Sequence, residues 1–299
     1  MKKNIILGII ISIIIPFQTQ AQLIKQNKVS KTIKKLASDK MNGRQAGTDD
    51  AKRAAEFIAK KFKKAGLSYY DGLQSYEQTF EMYSIKKKSQ NLKINDKEID
   101  EATYLVLSNT KNFASDELAK FEISHIKKED NFRQKYGEFS QAKKNQLIVI
   151  DPSHDAMFQR YRNYFSKPSN VFEVEGNKPV SIYLVSEEQE VSKIDFKHEN
   201  SIEKQTFRNV VGVLEGKSKK NEIILFSAHF DHLGVMENDK EDKIANGADD
   251  DASGVTAVMS LADYFSKKGN NERTLVFVAF TAEEIGGFGS KYFSEKMNP

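Results

Sequence analysis

At 299 residues, 39% of them apolar and 29% charged, the chain can hold one large domain or two modest ones with real cores, and its balance excludes global disorder. A formal charge of +4, with Lys2 and Lys3 contributing at the very start, is too weak to argue for nucleic acid as a partner. The absence of cysteine excludes disulfides and thiolate metal sites, so any metal must be held by His, Asp and Glu.

Residues 1–21 read as a secretory signal peptide. Lys2 and Lys3 form a basic start, Ile5 to Phe17 is almost wholly apolar, and Thr19-Gln20-Ala21 places small residues where a signal peptidase reads them, with cleavage before Gln22. The apolar run is shorter than the ~20 residues a membrane-spanning helix needs, so export with release to the periplasm or the exterior is expected, with no stable membrane span after cleavage. Residues 22–83 read as mainly helical. Val29, Ile33 and Leu36 recur at helical spacing, the turn-like "ASDKMNGRQAGTDD" follows, and Ala51, Ala54, Ala55, Ile58, Phe62 and Ala65 line one face of a second helix ended by Gly66. Asp49 and Asp50 at its start are explained by the helix dipole alone.

From 84 to 205 the texture changes to short runs, "LKI", "TYLVL", "FEISHI", "QLIVI", "VFEVE" and "SIYLV", separated by polar turns, with one helical piece carrying Met157, Tyr161, Tyr164 and Phe165. This predicts a β-rich module inserted into the main domain. Lys86 to Lys88, and the lysines at 217, 219 and 220, read as solvated loops. His125, His154 and His198 lack partners at ligand spacing and read as surface or satisfied histidines. Residues 206–299 alternate strand and helix: "NVVGVLEG", "EIILFSAHFDH", the helix "ASGVTAVMSLADYF" with Val255, Val258, Ala262 and Phe265 inward, then "RTLVFVAFTAEE". Apolar strands between amphipathic helices predict an α/β sheet covered on both faces, with ligands beyond the carboxyl ends of its strands.

Three groups fall at that edge: "AHFDH" with His229 and Asp231, the triplet Asp249, Asp250 and Asp251 at a helix entry, and "TAEEIGG" with Glu283 and Glu284. Each alone reads equally as a strand-end histidine, a helix cap or a loop acid. Together they crowd carboxylates that raise one another's pKa unless a cation lies among them. A nitrogen and oxygen donor set without thiolate suits zinc, with manganese or cobalt as substitutes, and two divalent ions sharing one carboxylate satisfy the arrangement.

"SAHFDHLG", "NGADDDASG" and "TAEEIGGFGS", in this order, resemble the co-catalytic zinc exopeptidases of metallopeptidase family 28, as does the upstream "LASDKMNGRQAGTDDAKRAAEFIAKKFKKAGL". The resemblance covers about residues 30–82 and 206–299; the middle stretch sits where many members insert a protease-associated domain and matches it only weakly. It implies a zinc-exopeptidase fold, a mixed twisted sheet flanked by helices, and hydrolysis of peptides from their N-termini. It implies two zinc ions, with His229 a ligand to one, Glu284 a ligand to the other and Asp250 bridging them. Asp231 would orient the His229 ring, Glu283 would be the general base, and His232 would at most support a ligand. The resemblance also implies two ligands downstream of the glutamate pair, an aspartate and a later histidine. The chain ends at Pro299 before either, so an incomplete form is expected, with part of the sheet missing, little activity of its own and a last helix short of strands to pack on. Two rivals share the fold: a one-zinc glutaminyl cyclase, which needs no bridging carboxylate, and a non-catalytic binding member that has lost its metals.

Overall fold

Thr48 accepts the Ala51 N–H at one end of a helix, and Gly66, in the left-handed region at φ 79°, closes the other, so a 17-residue helix is bounded by its own sequence. The computed structural model describes residues 24–174, 178–237 and 241–296; the signal peptide read over 1–21 lies outside them. The elements run α1 (Gln26–Leu36), α2 (Asp49–Ala65), β1 (Glu77–Ile94), β2 (Lys97–Glu98), β3 (Tyr104–Leu107), β4 (Asn112–Ser115), β5 (Glu122–Ile126), α3 (Phe132–Phe139), β6 (Gln146–Ile150), α4 (Asp155–Phe165), β7 (Ser169–Val171) and β8 (Ser181–Val185). They continue with β9 (Ile194–Leu214), β10 (Lys219–His229), β11 (Gly234–Val235), β12 (Ile244–Ala245), α5 (Gly254–Lys268), β13 (Arg273–Phe280) and α6 (Phe288–Lys296). Among the described residues no helix is long and apolar enough to cross a membrane.

The main sheet runs β10-β13-β9-β1-β2, with β4 on β9 and β7 on β1. β10 and β13 are parallel and in register to their ends, where His229 pairs with Phe280; β13–β9 and β9–β1 are antiparallel. On one face α1, α2 and α5 bury Leu36, Ala54, Ile58, Phe62, Val255 and Ala262 against Phe277 and Ala279. On the other, Tyr70, Val211, Val276, Val278 and Phe293 of α6 form a second core. The mixed α/β class, a twisted mixed sheet flanked by helices, is as expected. α6 does find strands to pack on: Phe293 is buried against the β9–β13 face.

β11 and β12 pair as a small two-stranded sheet, and a four-stranded sheet, β3-β8-β6-β5, lies wholly between β1 and β9 in sequence. Its strands bury Leu147, Val149, Ile182 and Leu184 on the side of Leu92, Ile94 and Phe196, and Ile148, Ile150 and Tyr183 on the side of α3 and α4. β1 and β9 form one long antiparallel ribbon of the main sheet, from Glu77↔Val210 to Ile94↔Ile194, whose far end packs on the four-stranded sheet through Leu92, Ile94 and Phe196, so residues 84 and 205 fall inside strands. Lys86 to Lys88 therefore belong to a strand and not to a loop. The middle of the ribbon is exposed, so a polar run there is compatible with pairing and hid the strand from a hydrophobicity reading. Among the described residues around "VFEVE", pairing is confined to Ser169–Val171, and α3 is an added helix, capped by Asn131 accepting the Gln134 N–H.

β10 departs from the expected two-sided cover. It is an edge strand, and Ile223, Ile224 and Leu225 are 37–43% exposed.

Candidate metal centre

The parallel pair β10/β13 ends at one level, and the site is built where both chains leave it. His229 is the last residue of β10. β13 ends at Phe280, and Ala282, at φ 57°, turns the chain so that Glu283 and Glu284 follow directly, before Gly286 and Gly287, both at positive φ. The third element is the irregular helical turn Ala248–Ser253 that leads into α5, entered through Gly247 at φ 55°. A Cβ at Gly247 would lie 2.4 Å from the Asp250 carbonyl oxygen and 2.6 Å from His232 Cδ2, so only glycine permits this approach.

These three loops bring His229, Asp250 and Glu284 together, with one donor atom of each within 4.8 Å of the others. His229 Nε2 is 3.0 Å from Asp250 Oδ1 and 3.9 Å from Glu283 Oε2. His232 Nδ1 lies 2.6 Å from Glu284 Oε1 and 4.0 Å from Asp250 Oδ2. The side chains of His229, His232 and Glu284 are largely enclosed, whereas those of Asp250 and Glu283 are 62% and 52% exposed and face the open side.

The triplet divides its work. Asp251 Oδ1 accepts the Gly254 N–H at 2.9 Å, capping α5, and its Oδ2 accepts the His229 N–H at 3.3 Å, tying the loop to the end of β10. Asp249 is exposed, with Ser253 Oγ donating to its carbonyl oxygen, and Asp250 is left to face the donors. The Asp250–Asp251 peptide is cis.

Asp231 is wholly buried, and its oxygens accept the Glu283 and Glu284 N–H groups at 3.3 Å each. Its carboxylate stands 3.9 Å from His229 Nδ1, beyond hydrogen-bond distance, and the ring instead faces the Asp231 carbonyl oxygen at 3.2 Å. The direct contact of the Asp231 side chain is thus with the glutamate loop. Burial pushes the Asp231 carboxyl up to about 6, against the opposing pull of those amides and of His229.

Sequence reasoning passed over two residues here. Arg44 is wholly buried: Nε donates to the Phe230 carbonyl at 2.7 Å, Nη1 to those of Leu36 and Asn246 at 2.7 Å each, and Nη2 to that of Gly247 at 2.9 Å. Burial draws its pKa below the ordinary value, opposed by Asp231, Asp250 and Asp251. The only signal was a lone arginine between Gly43 and Gly47. Asn209, also wholly buried, donates to Gln78 Oε1 and the Gly289 carbonyl and accepts the Thr281 N–H, bracing the end of β13 against α6. The module histidines stay apart from the cluster. His125 and His154 bond to the carbonyls of Gln189 and Lys127, while His198 is buried with neither ring nitrogen hydrogen-bonded, unlike the surface or satisfied histidine expected.

The family profile of Peptidase family M28 matches residues 209–299. Over 89 residues the chain is 36% identical to a protein of Pyricularia oryzae named "Probable zinc metalloprotease", covering 29% of this chain and 17% of that one. Over 95 residues it is 27% identical to Aminopeptidase YwaD of Bacillus subtilis, covering 31% and 19%. The chain thus spans under a fifth of these relatives. Among solved structures, the aminopeptidase from Aneurinibacillus sp. strain AM-1 superposes with a TM-score of 0.53 at 18% identity, over 92% of this chain and 67% of that one, which shows a shared fold. The segment matched by the Peptidase family M28 profile, from the end of β9 onward, carries every residue of the donor cluster.

Proposed function

We propose that the chain is a zinc-dependent peptide hydrolase of the aminopeptidase type, with two zinc ions held around Asp250. One observation carries the reading: a histidine nitrogen from a strand end and two carboxylates from two separate loops converge within 4.8 Å at the carboxyl ends of parallel strands. The donor set fits zinc, being imidazole and carboxylate without thiolate, with the amides behind it held by a buried acid. His229 would hold one ion and Glu284 the other, with Asp250 shared between them. The names of the Pyricularia and Bacillus relatives support metal and reaction class.

Zinc, when bound, supplies a Lewis acid for the scissile carbonyl and acidifies water. The rest falls to the protein. Glu283, half exposed on the open side and 3.9 Å from His229, is placed to take a proton from the attacking water on a carboxylate oxygen and return it to the leaving amine. His232 holds Glu284 through its 2.6 Å contact, and Asp231 holds the backbone from which both glutamates project. The proposal includes residues 84–205 as an inserted module and 206–299 as the catalytic core. It also includes a signal peptide at 1–21 directing export, and peptide N-termini as substrate.

Zinc content by atomic emission and hydrolysis of aminoacyl anilides test this together. His229→Ala should lose zinc, whereas Glu283→Gln should keep it and lose about 10²–10⁴-fold in turnover. A protein that binds no zinc, or a Glu283→Gln variant as active as the original, would overturn it. Zinc-to-chain stoichiometry separates the two-ion reading from a one-zinc cyclase.

A further inference from the structure

His229 and Asp250 meet at 3.0 Å, yet they stand on loops that share no strand pairing with each other. Besides the His229 N–H bond to Asp251 Oδ2, one buried guanidinium joins the two stretches of main chain. Arg44 donates to the carbonyl of Phe230, between His229 and Asp231, and to those of Asn246 and Gly247, at the entry to the turn bearing Asp250. Its fourth bond, to the Leu36 carbonyl, anchors it to the end of α1. Its own carbonyl accepts the His232 N–H at 3.3 Å, so main chain and side chain both grip the site.

All four of these acceptors are backbone carbonyls. An arginine that neutralised an acid would aim at a carboxylate; this one uses the rigid planar fork to set the distance between two stretches of main chain. The interior position makes the arrangement exacting, because each carbonyl would be left buried and unpaired if the fork were removed. Lysine could offer its charge but not donors in that fixed plane.

We propose that Arg44 is a positioning residue that clamps the His229 loop to the Asp250 loop and so sets the affinity of the donor cluster for zinc. This rests on the reading of the cluster as a zinc site, and the test separates the two. Zinc affinity is measured by competition with a chromogenic chelator, the absorption bands of the cobalt(II)-loaded protein report ligand geometry, and hydrogen exchange is followed on metal-free protein. Arg44→Lys and Arg44→Met should weaken zinc binding by about 10- to 100-fold, the range for groups that orient ligands, and alter the cobalt bands. In the metal-free Arg44→Lys protein, residues 229–232 and 246–252 should exchange faster together. Phe158→Leu, in the module core, should lower the unfolding midpoint yet leave zinc affinity and the cobalt bands unchanged. Should Arg44→Met fail to fold, Arg44→Lys carries the comparison. Folded variants with zinc affinity within about twofold of the original, or exchange unchanged in both loops, would overturn the clamp while leaving the zinc reading intact. An original protein that binds no zinc would overturn the zinc reading and the affinity claim with it.

Discussion

Asp231 illustrates how a buried acid can serve a site without facing it. Its two oxygens are taken up by successive amides of the glutamate loop, so it sets where Glu283 and Glu284 leave the backbone. Asp231→Asn keeps the volume but turns one acceptor into a donor facing an N–H. It should leave the chain folded and weaken zinc binding by about 10- to 100-fold, measured by chelator competition. Asn209 does the same for the end of β13 through three partners. Asn209→Ala would leave buried groups unpaired and should cost about 2–3 kcal/mol, read from the shift of the urea midpoint. The chemical identity of these side chains was legible in the sequence; their direction was not. Three adjacent aspartates look alike on paper, and only the turn at Gly247 and the cap on α5 decide that Asp251 faces inward and Asp250 faces the donors.

At the scale of elements, helices were the most legible part, because α2 and α5 carry both periodicity and end signals. Strands were less so. The ribbon of β1 and β9 is exposed in its middle and mixes lysines with apolar residues, and α3 is a short helix with few apolar positions. In the module, α3 and α4 cover β6 and β8 with an aromatic cluster of Tyr136, Tyr161, Phe165 and Tyr183. Burial pushes the Tyr136 phenol up to about 12 and raises that of Tyr183 too. Unfolded phenols ionise near about 10, so between that value and 12 the folded state binds more protons and stability falls as pH rises. Tyr136→Phe should flatten this alkaline loss in melts taken from the ordinary phenol value of about 10 up to about 12. The Tyr183 hydroxyl has no hydrogen-bond partner, so Tyr183→Phe should leave the unfolding midpoint at neutral pH unchanged or higher.

Across the whole molecule, the ribbon couples the four-stranded sheet to the edge that carries the donor cluster. Phe80 on β1 and Phe207 on β9 stack on each other, Phe80 stacks on Tyr292 of α6, and this cluster takes in Phe172 from the module side and Ala282 and Ile285 from either side of the glutamate pair. Packing here backs the loop that carries Glu283 and Glu284. Phe80→Ala should cost about 3–5 kcal/mol, and in the folded protein it should speed hydrogen exchange at residues 281–288. A variant that unfolds more easily but leaves exchange in that loop unaltered would show that the cluster and the loop are independent.

The local elements with strong periodicity, the donor chemistry and the resemblance of residues 209–299 to peptidase family M28 could be read from sequence, because each is written in residue type and short spacing. Only the tertiary contacts make β10 an edge strand, bury Phe293 of α6, and let the far end of the β1–β9 ribbon serve as the floor for the four-stranded sheet. They alone turn the Asp231 carboxylate toward two amides and bury Arg44 among four carbonyls. These depend on contacts between residues far apart along the chain, and the pattern of one stretch says nothing of what another stretch will bring beside it.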